Sequence, residues 1–137
     1  MILRRKRMPP ELEGPFAVFG EVLELVGRAK SPLTCVMPTT RLPGTPLAEA
    51  IHEFETLLAD ARERMPEWRV PAVEDAWVSV SAAIEASLER ARRLREEAPE
   101  LGGFERLIGA VGQLLDPLDD ALEVAGERFR DLRTRSL

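Results

Sequence analysis

Several residue types are scarce or missing from this chain, and each shortage removes a class of explanation. Cys35 is the only cysteine, so no intramolecular disulfide can form and a cysteine-based zinc site is excluded. A lone thiol suits a reducing, cytoplasmic setting. His52 is the only histidine. Glu49 stands three residues before it, but a di-iron carboxylate bundle needs two such E-x-x-H tetrads. Tyrosine and asparagine are absent, and Gln113 is the only glutamine. A Cys35–His52 nucleophile pair would therefore lack an amide to orient the imidazole. No apolar stretch approaches the roughly 20 residues of a membrane span. The best one, Phe16 to Val26, is interrupted by Glu21 and Glu24. No apolar run follows the basic start, so no secretory leader is expected.

Charge is present but uneven. The formal net charge is -5, while Arg4, Arg5, Lys6 and Arg7 place four positive charges and no acid in the first ten residues. The remainder is strongly acidic, which disfavours a broad nucleic-acid surface. The basic arm lacks interleaved aromatic residues for base stacking, so nucleic acid is not the expected partner. Its expected state is a solvated terminus; an ordered arm would imply docking on an acidic surface, such as a second copy. The Arg, Ala and Pro bias with few amides fits a thermophilic host, and a GC-rich bacterial genome produces the same bias.

What the chain has in quantity is helical periodicity. Residues 1–13, with Pro9 and Pro10, read as an extended basic arm. Residues 14–137 read as a single helical domain, of a size able to bury one core without staples. The first helix is expected from Gly14-Pro15, with a stripe of Phe16, Phe19, Val22 or Leu23, Val26 and Ala29 weakened by Gly20 and Gly27. A long loop is expected over 31–44, with a short strand at Leu33 to Met37. Thr45-Pro46 is a cap followed by a first-turn proline. Behind it Leu47, Ile51, Phe54, Leu58, Ala61 and Met65 alternate in steps of four and three, the seam of left-handed helix packing. A third helix begins near Pro71 with the seam Val73, Trp77, Val80, Ile84, Ser87, Ala91, Leu94, and stops at Pro99 and Gly102-Gly103. A fourth carries Phe104, Ile108, Val111, Leu115, Leu118, Leu122, Ala125, Phe129 and Leu132, with a kink or break expected at Pro117. The whole predicts an all-α, antiparallel four-helix bundle with a long loop after the first helix and a Pro-kinked last helix.

Each candidate for chemistry has a plainer counterpart. Asp116, Asp119, Asp120 and Glu123 are the densest acidic cluster, and carboxylates at one-turn spacing can hold Mg²⁺ against a diphosphate. A second acidic set on a facing helix would be needed; Glu96, Glu97 and Glu100 are interrupted by Pro99, and Glu49 and Glu53 lie outward. The plainer reading is acid enrichment at a helix start. Gly102-Gly103 and Gly109-x-x-Gly112 lack the pattern and the preceding strand of a phosphate loop, and read as packing glycines. Ser87 and Ala91 beside Trp77 suggest a small-ligand pocket. Trp68, in the rigid turn Pro66 to Pro71, is expected either to cap one end of the bundle or to serve as an exposed contact.

These residues favour a non-enzymatic helical bundle acting as an interaction or assembly protein, a homodimer or the partner of another protein. No cofactor is expected. Trp68 and Arg4, Arg5, Lys6 and Arg7 are the candidate contact residues. The basis for self-association is apolar residues flanking the stripes (Val22, Leu57, Ala83, Leu88, Leu107, Leu114) that one core would not cover. The alternative is a Mg²⁺-dependent hydrolase of a nucleotide or other diphosphate, with Asp116, Asp119, Asp120 and Glu123 as ligands.

Overall fold

The computed structural model describes residues 6–36, 45–97 and 104–135. Four helices make up nearly all of it: α1 (Pro10–Val36), α2 (Thr45–Arg64), α3 (Glu74–Glu97) and α4 (Phe104–Asp131). Each packs against the next in sequence, and α1 also meets α4. Two 3₁₀ turns, Met65–Trp68 and Pro71–Val73, join α2 to α3. Two short extended pieces, β1 (Lys6–Arg7) and β2 (Thr134–Arg135), pair antiparallel with Lys6 opposite Arg135 and Arg7 opposite Thr134. No helix among the described residues is long and apolar enough to cross a membrane.

α2 and α3 follow the sequence pattern closely. Ile51, Phe54, Leu58, Ala61 and Met65 of the α2 seam are all buried, as are Val73, Val80, Ile84, Ala91 and Leu94 on the α3 side. α2 stops before Pro66, and Pro71 opens the 3₁₀ turn that leads into α3. In α4, Val111, Leu115, Leu118, Leu122, Ala125 and Phe129 are buried. The helix is continuous through Pro117, so the chain does not break there.

α1 departs from expectation at both ends. It starts at Pro10 rather than Gly14, because a proline in the first helical position gives up an N–H that has no helical partner anyway. Glu11 and Glu13 then favour the positive end of the helix, and buried Leu12 donates its N–H to the Pro9 carbonyl at 2.8 Å. The basic arm is correspondingly shorter, and its residues 6–7 are held by β2 instead of lying free.

At the other end the helix continues to Val36, so residues 33–36 are helical and not a strand. Pro32 removes one helical hydrogen bond, but Leu33 is fully buried beyond it. Tertiary burial there outweighs local propensity. Residues 37–44, the rest of the expected loop, lie outside the described residues, and so do Arg4 and Arg5.

Of the two places expected for Trp68 the structure shows the end cap, while Trp77, expected in the core, is only partly covered. Trp68 is fully buried, whereas Trp77 is half-buried. The turn between Pro66 and Pro71 folds Trp68 back over the ends of α1 and α4, where its ring meets Phe19 (centroids 5.0 Å apart) and Phe129 (5.9 Å). Its indole N–H points at the Met65 sulfur, 3.1 Å away. Phe16 and Phe19 also contact Phe129, at 5.4 and 5.0 Å, so one aromatic cluster locks α1, α4 and the α2–α3 turn together. Trp77 keeps its polar edge useful by donating to the Met65 carbonyl at 2.7 Å, and the Arg69 guanidinium lies over its ring at 4.2 Å.

Candidate functional site

The acidic run Asp116, Asp119, Asp120 and Glu123 lies on α4. Asp119 is engaged: Lys30 Nζ on α1 donates to its Oδ1 at 2.8 Å. Asp116, Asp120 and Glu123 are exposed. Among the described residues no three acidic, histidine or cysteine side chains converge to hold a metal ion. Positions 116, 119, 120 and 123 share one face of the helix but are strung over about 10 Å of its axis. A second acidic set would have to face them, and what faces Asp119 is a lysine. Lys30 lies 89 residues away in sequence, so no local spacing announces it.

Between α1 and α4 there is an open groove of about 310 Å³, lined by Leu23, Gly27, Lys30, Asp119, Leu122 and Gly126 among others. No atom stands within 4 Å of where a Cβ would sit on Gly27, so that glycine is not required by packing inside the chain. A second hollow, about 320 Å³, lies between the start of α3 and α4, with Ala72, Val73, Ala76, Ser79, Val124 and Arg128 on its walls.

The interior offers little polarity. Ser87 is the only buried polar residue among those described, and its hydroxyl donates to the Leu114 carbonyl at 2.7 Å. The Ser87–Ala91 stretch expected beside a ligand pocket is thus occupied by α4. Glu49 and His52 are exposed, which places that tetrad on the surface of α2. Backbone residue 35 is helical; the Cys35 side chain lies outside the described residues.

Trp68, a candidate contact residue, presents no surface; it belongs to the core. Lys6 and Arg7 sit in β1, directly across from Arg135 and Thr134. The pairing therefore gathers basic residues from both ends of the sequence, since Arg128, Arg130 and Arg133 lead into β2. Arg133 lies over the Phe16 ring at 5.1 Å, and Arg128 Nε donates to the Ala72 carbonyl at 3.1 Å.

The apolar surplus expected to drive association is mostly internal. Val22 and Leu114 are buried in the chain's own core, while Leu57, Ala83 and Leu88 pack half-buried against it. Leu107 lies outside the described side chains. The large apolar residues left exposed are others: Leu23 (43%), Val78 (49%) and Val124 (57%). Each interrupts an outward polar face, a signal visible in sequence only once the inward face is fixed.

Electrostatics on α2 and α3 are local. Arg69 donates to Glu74 at 2.7 Å, and that hydrogen bond holds the Glu74 carboxyl below the ordinary glutamate range. Arg92 does the same to Glu89, with Arg93 adding to it, and Arg92 is itself pushed further above its already high value by Glu89. These groups are on the surface, and of them Glu74 lines the hollow between the start of α3 and α4.

No family model, curated protein or solved structure matches the chain.

Proposed function

We propose that the chain is a non-enzymatic helical bundle that works as an interaction or assembly protein and associates with a second copy of itself in the cytoplasm. The observation that carries this reading is the division of the apolar residues. A filled core leaves Leu23, Val78 and Val124 outside it, while the one buried hydroxyl is consumed by a backbone carbonyl. Isolated exposed apolar residues are ordinary; Leu23 and Val124 each line an open groove, which gives a partner shape to fill.

The arrangement we favour is an antiparallel bundle. Contacts support it, since residue numbers rise on one helix as they fall on its neighbour. Glu85 and Arg95 of α3 meet Arg62 and Glu55 of α2. Phe19 and Lys30 of α1 meet Phe129 and Asp119 of α4. A bend of α4 at Pro117 fits the same scheme, because the missing N–H leaves the Gln113 carbonyl without a helical donor.

Sedimentation over micromolar to millimolar protein tests the reading. A concentration-dependent dimer is the expected result, and a monomer throughout would sink self-association. A rise in Tm with millimolar Mg²⁺, abolished by Asp120→Asn, would replace this reading with the diphosphate hydrolase.

A further inference from the structure

We infer that the second copy docks on the outer ridge of α4, in a two-fold symmetric contact centred on Val124. The inference rests on the self-association reading and assigns it a surface. Asp120, Val124 and Arg128 stand at steps of four on one ridge of α4, and all three are exposed. At 1.5 Å per residue, acid and base lie about 6 Å on either side of the valine. A two-fold axis through Val124, perpendicular to α4, brings position 120 of one copy level with position 128 of the other. The ridge is therefore complementary to itself: valine meets valine, and two Asp–Arg pairs close around them, as an isologous interface requires.

Three observations favour this ridge over the other exposed apolar sites. Val124 is the most exposed of the three large apolar residues. At the same four-residue spacing, Leu23 has Phe19 and Gly27, which carry no charge. Val78 has Ala82 and a Glu74 already bound by Arg69. Asp120 and Arg128, by contrast, form no ion pair with any described residue, and eight residues on one helix is too far for them to meet each other. Arg128 is also pre-positioned. Its Nε is held by the Ala72 carbonyl at 3.1 Å, which leaves the rest of its fork for a partner carboxylate.

Shape agrees with charge. The hollow of about 320 Å³ beside Val124 sets Ala72, Val73 and Ala76 next to Glu74, Asp75 and Arg128, an apolar floor with a charged rim. Ala121 lies one turn before Val124 beside the ridge, and Ser79 of α3 shares the hollow with Val124. Small side chains on both let a second helix come close.

The test is sedimentation of charge variants at low salt. Asp120→Arg and Arg128→Asp each place like charges together at both contacts, so each alone should raise the dimer Kd about tenfold or more. An equimolar mixture of the two restores opposite charges at both contacts and should dimerise again. The double variant Asp120→Arg/Arg128→Asp should do so in a single chain, which also controls for loss of the Arg128–Ala72 bond in the single variant. Val124→Glu should weaken the dimer without changing the circular dichroism spectrum. A wild-type dimer that neither single variant weakens, or a mixture that fails to recover, overturns this surface and leaves self-association standing. A wild-type monomer at every concentration overturns both.

Discussion

The flank formed by α2 and α3 and the end where α1 meets α4 use arginine in opposite ways. On the first, arginines are matched with glutamates: Arg62 with Glu85, Arg69 with Glu74, Arg92 with Glu89 and Glu96, Arg93 with Glu89, Arg95 with Glu55. Arg64 joins Glu21 and Glu67 in the same fashion. On the second, Arg128 is held by a carbonyl and Arg133 by an aromatic ring, and neither these nor Arg130 pairs with a described carboxylate. A neutral partner fixes a guanidinium without cancelling its charge. The α2–α3 flank, Arg90 apart, is thus a largely self-satisfied surface, whereas the α1–α4 end keeps its positive charge available and relies on aromatic packing for cohesion.

The sharpest way to break that contrast is to remove the packing. Phe129→Ala should cost about 3–5 kcal/mol, because its ring touches Phe16, Phe19 and Trp68 at once. Urea unfolding checks it. A loss below about 1 kcal/mol would mean that the aromatic cluster is not what holds this end.

A smaller effect is expected at the one place where the charge lattice reaches inward. Glu55 Oε1 is buried and makes no hydrogen bond, with Arg95 Nη1 3.4 Å away. Arg95→Met should cost about 1 kcal/mol, since Glu55 is only partly covered and the pair is partly solvated. Adding Glu55→Leu should recover that loss, because an apolar pair leaves no carboxylate to desolvate. Thermal unfolding of the single and double variants reads both.

The smallest effect is pH dependence of the exposed pairs. Glu74 and Glu89 are held below the ordinary glutamate value by their arginines. A lowered folded-state pKa contributes stability that is complete above the unfolded value of about 4.3 and fades as pH falls through the lowered one. Acidification from pH 6 should therefore weaken the α2–α3 flank gradually, and Arg69→Gln with Arg92→Gln should flatten the slope. An unchanged slope would show that the pairs add nothing in solution.

The same two regions show what sequence alone makes legible. α2 and α3 were readable because their seams repeat every three or four residues and their ends carry prolines. Their signals are local, and so is their physics. The reach of α1 to Val36 was not readable, because Pro32 argues for a stop and only burial of Leu33 against distant helices argues against it. Trp77 departs from its expected core place for a related reason. Helical phase ranks Trp77 as core, but a 3₁₀ turn obeys no such phase and carries Trp68 inside. The acidic cluster was legible as composition, yet its decisive neighbour, Lys30, comes from another helix. Val124 and its flanking charges were in plain view and became informative only once the inward face of α4 was known.

The pairing of β1 with β2 has a topological consequence. It joins residues nearly 130 positions apart, Lys6 and Arg135, so the start of α1 and the end of α4 are tied to each other by backbone pairing as well as by side chains. Neither helix can fray from that end alone, because the strand that would peel away with one is held by the strand of the other.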